Sequence, residues 1–210
     1  MRQIIYILCE GKTEYNYVQS LNKLLRQHGD CNALLFIPNN LEGKLTHKNC
    51  KARITNKIKK LHKDSRATAC YAWLDYDIFQ RLHEENRRQK ILESLNNIKF
   101  QTNNIRCIFN HMNGEDFIIL HKENNIIKQW ENVCIENNHF KNPMPSKDYL
   151  TKFKELVPKY KKGDTPALTP ELLNQCINNI QDSSILFKSD VDILLQKVFD
   201  NIKQNNTQRI

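Results

Sequence analysis

Four short apolar runs rich in β-formers, residues 4–8, 33–37, 69–74 and 105–109, alternate with stretches of helical spacing. No other feature narrows the fold so far. Runs that stay apolar throughout are strands buried on both faces, and strands separated by helices build a parallel sheet covered on each side. Tyr17, Val18, Leu21, Leu24 and Leu25 form the first intervening stripe, which Gly29 stops. Ile54, Ile58 and Leu61 give a thinner stripe on a very basic helix, and Leu82, Ile91, Leu92 and Leu95 mark a long charged one. The expectation is an α/β Rossmannoid core of about four parallel strands flanked by helices.

Beyond Phe109 the pattern turns helical. A short helix is expected over residues 115–122 and a further helical stretch over 126–134. Asn142-Pro143-Met144-Pro145 breaks it, and helices over 149–157, 170–180 and 189–202 follow. Thr169 is a suitable N-cap, with Pro170 at the first helical position. Residues 161–169 read as a loop, and the polar tail 204–210 as frayed. The division expected is a catalytic core at 1–125 and a helical extension packed on it at 126–210.

A chain of 210 residues suits one core with such an appendage. It has no stretch near the roughly 18–20 apolar residues that span a bilayer. The run at 4–8 is too short for a signal peptide and leads directly into Glu10, so a cytoplasmic protein is expected. The seven cysteines include no Cys-x-x-Cys pair and read as reduced, Cys9, Cys70 and Cys107 as small apolar strand residues.

The net charge of +9 is unevenly spread. Lys44, Lys48, Lys51, Arg53, Lys57, Lys59, Lys60, Lys63 and Arg66 face only Asp64 in opposition, and a second cluster includes Lys159, Lys161 and Lys162. Cations so clustered match a phosphate backbone, where binding gains from counterion release. The plainer alternative is a solvated helix face.

The acids carry more information. Glu10 follows the first strand, Gly11 allows a tight turn, and Glu14 comes four residues after Glu10. If the helix has already begun, the two acids share one face a turn apart. Asp75 and Asp77 flank Tyr76 at the end of the third strand, and Glu115 follows the fourth. In extended backbone, residues i and i+2 point the same way. Five carboxylates thus fall at the carboxyl ends of strands, where open α/β sheets bind ligands. Hard cations such as Mg²⁺ take oxygen ligands. Glu14 also suits a helix first turn, and Asp77 a helix cap. Gly11-Lys12-Thr13 is not a nucleotide-binding P-loop, because the glycine that motif needs five positions earlier is Tyr6. His47 and Cys50 lack a second pair for zinc. His111 and His121 flank the Glu115 region and read as facing the site or as half-buried structural groups.

The Glu-Gly opening and the Asp-x-Asp resemble the Toprim domain. The longer string Cys9-Glu10-Gly11-Lys12-Thr13-Glu14-x-x-Tyr17 is more particular. With Leu74-Asp75-Tyr76-Asp77, the block from Asn110 to His121 and Tyr160-Lys161-Lys162-Gly163, it resembles the RloB-like family of small Toprim proteins, related to OLD-type nucleases. Tyr15 stands where that family usually has Pro, and Ile118 where it usually has Trp.

The resemblance implies a Toprim-like fold and a nuclease using one or two Mg²⁺ or Mn²⁺ ions. Glu10, Asp75, Asp77, Glu115 and Lys162 would be catalytic, and Glu10, Glu14, Asp75, Asp77 and Glu115 would hold metal. Lys44, Lys48, Lys51, Arg53, Lys57, Lys60 and Lys161 would hold DNA or tRNA. The resemblance further implies an ABC- or AAA-type ATPase partner in abortive-infection defence. The region after Pro143 is where a homodimer or ATPase-docking surface is expected. Topoisomerase and primase activities need additional domains that 210 residues leave no room for. Two alternatives stay open: an RNA-processing endonuclease of the Toprim maturase kind, and a non-catalytic module binding nucleic acid or an ATPase.

Overall fold

The first apolar run becomes β1 (Gln3–Cys9), and its side chains alternate between two cores. Ile5, Ile7 and Cys9 join one cluster with Tyr17, Val18, Leu21 and Trp73. Ile4, Tyr6 and Leu8 join the other with Ile54, Ile58 and Leu74. A strand buried on both faces must lie inside the sheet, and burial of each such Ile or Leu contributes roughly 1.5–3 kcal/mol. The protein is described by a computed structural model covering residues 2–42, 45–61, 66–76, 79, 85–111, 114–142 and 144–207.

Among the described residues, the remaining elements run α1 (Lys12–His28), β2 (Leu34–Asn40), α2 (Cys50–Leu61), β3 (Ala69–Asp75), α3 (Glu85–Asn96), β4 (Lys99–Phe100), β5 (Asn103–Asn104) and β6 (Arg106–Asn110). Then follow α4 (Gly114–Ile119), α5 (Asn124–Glu136), α6 (Ser146–Leu156), α7 (Pro170–Gln181) and α8 (Asp192–Thr207). Four strands form one parallel sheet in the order β2-β1-β3-β6. Helix α1 covers one face, while α2 and α3 cover the other. The fold is α/β and Rossmann-like, with helices α5 to α8 adding to the core on the α1 side.

Local chemistry sets the boundaries. α1 ends where Gly29 N–H donates to Leu25 O at 2.9 Å. A side chain at Gly29 would collide with Asn201 of α8, whose Oδ1 lies 2.5 Å from a built Cβ. Asn201 also accepts from Asp30 N–H at 2.7 Å, so the last helix clamps the α1–β2 junction. Thr169 caps α7 through Leu172 N–H, as its sequence position suggests.

Two features depart from the sequence reading. β4 and β5 form a small antiparallel hairpin whose turn puts Gln101 at φ 55°. Gln-Thr is not one of the usual two-residue hairpin turns, so nothing in the sequence announced it. The helix expected from residue 189 starts at Asp192 instead. Ser189 bridges to Asn110 in antiparallel fashion, and Asp190 N–H donates to Phe109 O at 2.9 Å. Sheet pairing has claimed those residues before the helix can.

Candidate metal and nucleic-acid site at the carboxyl edge

The chain leaves β1 toward β2 on one side and returns to β3 on the other. The crevice between β1 and β3 is therefore the topological switch point, the usual ligand site of an open α/β sheet. Glu10 and Asp75 stand at the carboxyl ends of those two strands. Glu10 N–H donates to Trp73 O at 3.1 Å, and Glu10 Oε2 then accepts Asp75 N–H at 2.9 Å. The side chain thus carries the ladder one step past the turn that Gly11 begins.

Glu14 lies in the first turn of α1, 4% exposed, and its Oε2 accepts Gly11 N–H at 3.0 Å. Glu10 is outside the helix, so the expectation of one shared helical face does not hold. Glu14 is brought back to that edge by folding onto the backbone beside Glu10. Negative charge at this helix end is also favoured by the macrodipole. Both carboxylates are felt by neighbouring thiols. Burial pushes Cys9 up, with Glu14 adding, and pushes Cys50 up, with Glu10 adding more weakly.

Asn110 orients the third acid. Its Nδ2 donates to Asp75 Oδ1 at 3.0 Å, while its Oδ1 accepts from Trp73 Nε1 at 3.0 Å and Ser189 Oγ at 2.9 Å. The side chain is 1% exposed. Sequence reasoning gave Asn110 no role beyond opening a motif, and Ser189 none at all.

Beneath this edge, Tyr17, Trp73 and Phe117 pack edge-to-face, with ring centroids 4.8 to 5.8 Å apart. His121 completes the cluster through a 2.7 Å hydrogen bond between Nε2 and Tyr17 OH. Burial pushes its pKa down to about 4, with the carbonyls of Phe117 and Ile118 opposing in part. His121 is a neutral part of the floor, the structural alternative of its sequence reading. Asp77 and the Glu115 side chain lie outside the described residues; the Glu115 backbone opens α4 just beyond β6.

The loop bearing Lys161 and Lys162 docks on the start of α1. Asn16 Nδ2 donates to Gly163 O at 2.7 Å. Gly163 has φ 92°, and a Cβ there would lie 3.2 Å from Lys12 Cγ and Cδ. Both lysines are exposed.

The remaining basic residues divide. Arg53, Lys57 and Lys60 line a groove of about 180 Å³ with Asn56 and with Asn40, the carboxyl-terminal residue of β2. Lys51 instead shares a separate groove of about 490 Å³ with Lys59 and Lys99. Lys48 is exposed ahead of α2, and Lys44 lies outside the described residues.

Among the described residues, one group of three ligand-type side chains has its atoms mutually within 4.8 Å: Asp116, Cys134 and His139. It does not fit a cation. His139 Nδ1 accepts Met144 N–H at 2.9 Å, so the ring proton sits on Nε2, which lies 3.5 Å from Asp116 Oδ2. A metal on Nε2 would require the opposite tautomer. Asp116 Oδ1 also accepts from Trp130 Nε1 and Tyr149 OH, each at 2.7 Å. The group is a buried carboxylate held by hydrogen bonds.

No protein-family model and no curated protein matches the chain. Among solved structures, it is similar to the C-terminal region of the Xanthomonas campestris pv. campestris OLD protein. For the iodine-phased structure the identity is 13% and the TM-score 0.36, covering 97% of this chain and 97% of that one. For the platinum-phased structure the values are 12% and 0.35, covering 100% of this chain and 98% of that one. No helix among the described residues is long and apolar enough to cross a membrane.

Proposed function

We propose that this chain is a metal-dependent nuclease of the RloB-like Toprim kind, cleaving phosphodiester bonds in nucleic acid. The observation that carries the reading is the contact of Glu10 with Asp75 at the switch point. Two carboxylates at the ends of adjacent parallel strands, one oriented by a buried amide, are a donor set of oxygens suited to Mg²⁺ or Mn²⁺. Glu10 and Asp75 would hold the ion, joined by Glu14, Asp77 and Glu115. Bound there, one or two ions would neutralise the scissile phosphate and acidify an attacking water.

The chain's own groups have distinct tasks. Asn110 fixes the direction of Asp75. Lys162, on the loop anchored by Asn16, is suited to offset charge developing on the phosphoryl oxygens. Arg53, Lys57 and Lys60 give a backbone-binding groove that starts at the end of β2, the strand beside β1. In this reading the protein is the effector of an ATPase-linked abortive-infection system, and α5 to α8 offer the docking surface. RNA processing uses the same site and differs only in substrate.

The test incubates wild type and Asp75→Ala with plasmid, single-stranded DNA and total tRNA under Mg²⁺, Mn²⁺ or EDTA. Metal-dependent cutting lost in Asp75→Ala is expected, and the substrate cut names the class. Retained affinity for nucleic acid without cutting, also beside the candidate ATPase, would favour a binding module.

A further inference from the structure

We propose that His111 and Asp190 form a proton-transfer pair, with His111 the general acid that protonates the leaving oxygen. The inference rests on the phosphodiesterase reading above and adds a catalytic residue to it. His111 Nε2 lies 3.0 Å from Asp190 Oδ1. What separates this contact from an ordinary surface ion pair is how firmly both partners are held. Asp190 Oδ2 accepts Phe109 N–H at 3.1 Å, and Asp190 N–H donates to Phe109 O at 2.9 Å. His111 N–H donates to Lys188 O at 2.9 Å. Exposed pairs of long side chains lose much of their attraction to side-chain entropy. Here Phe109 N–H fixes the Asp190 carboxylate, and backbone hydrogen bonds hold both residues in place.

Their position is equally specific. His111 follows Asn110, which pairs in register with Asp75 and donates to its carboxylate. Its ring lies against that of Tyr76, the residue after Asp75, with centroids 6.4 Å apart. The side chains of His111 and Asp190 are 50% and 38% exposed, so a bound strand can reach them. With Asp190 as the partner of Nε2, the proton transferred in the proposed step is the one on Nδ1, the arrangement by which a carboxylate orients a catalytic imidazole.

In the step, water oxygen bonds to phosphorus and the bond from phosphorus to the sugar oxygen breaks. The imidazolium of His111 gives its Nδ1 proton to that oxygen, which leaves as an alcohol. The proton released by the attacking water returns His111 to its charged form through solvent. Phosphodiester and water become phosphomonoester and alcohol.

The test compares wild type, His111→Gln and Asp190→Asn on two substrates under Mn²⁺. One is an ordinary oligonucleotide; the other carries sulfur in place of the leaving oxygen at a single linkage. A thiolate leaves without a proton. His111→Gln is expected to cut the oxygen substrate at least about 100-fold more slowly and the sulfur substrate within a few-fold of wild type. Asp190→Asn is expected to show the same pattern more weakly. Equal slowing on both substrates, or none on either, would overturn the inference while wild-type cutting keeps the nuclease reading intact. Wild type cutting neither substrate overturns both. Melting temperatures close to wild type confirm that the variants fold.

Discussion

Asp75 donates its backbone N–H to the carboxylate of Glu10 at 2.9 Å, across the join between β1 and β3. The contact gives Glu10 a structural task and a charge task that substitution can separate. Glu10→Gln keeps an acceptor for Asp75 and removes the charge. Folding stability is expected to stay within about 1 kcal/mol of wild type. Cleavage should fall on the order of 100-fold or more, as when one preorganised electrostatic group is lost. Urea denaturation, Mn²⁺ calorimetry and cleavage rates on the same samples check this; unchanged Mn²⁺ affinity would count against Glu10 as a ligand.

Asn110 joins three groups from distant parts of the chain. Asn110→Ala strands the Trp73 indole N–H in a buried place, leaves the Ser189 hydroxyl only the 3.3 Å contact with Phe109 O, and removes one contact that orients Asp75. A stability loss of about 2–3 kcal/mol is expected. A further drop in metal-dependent cleavage, about 10- to 100-fold, should remain at temperatures where the variant is fully folded.

His121 makes stability depend on pH. Its native pKa, about 4, lies below the ordinary 6.5. Between those values the unfolded chain binds the proton and the native chain does not, so stability declines as pH falls through that window. The contribution is fully present above about 6.5 and amounts to about 3 kcal/mol. Urea midpoints at pH 7.5, 5.5 and 4.5 should fall more steeply for wild type than for His121→Gln.

Arg53 and Lys57 share one groove, and binding through them releases counterions. Replacing both with Ala should lower the slope of log affinity against log salt by about 2. Lys203, whose ammonium sits over the Phe199 ring on α8, is the control and should leave the slope unchanged. Fluorescence anisotropy in EDTA separates this binding from cleavage.

Gly163 combines a left-handed backbone with a close approach to Lys12. Gly163→Ala is expected to cost about 1–2 kcal/mol. If Lys162 acts at the site, cleavage should drop while Mn²⁺ affinity stays constant.

The four sheet strands were legible because each is short, apolar and bounded by polar residues. Helix α7 was equally plain, since Thr169-Pro170 names its own first turn. Glu10 and Asp75 stood out as acids at the ends of such runs. Their direct contact did not, because it depends on which strands become neighbours. The bond from Ser189 to Asn110 spans 79 positions, and no local pattern carries information over that distance. Glu14 misled in a different way: spacing alone suggested a shared helix face, but the helix begins at Lys12 with Gly11 as its N-cap, so Glu10 does not belong to it.

The bracing of the carboxyl edge by Ser189 also sets an order in time. Ribosomes deliver Glu10, Asp75 and Asn110 long before the segment that pins Asn110 in place. A nascent chain can therefore pair its strands while Asn110 still lacks the Ser189 hydroxyl. The rigid form of the edge is reserved for chains whose synthesis has passed that point.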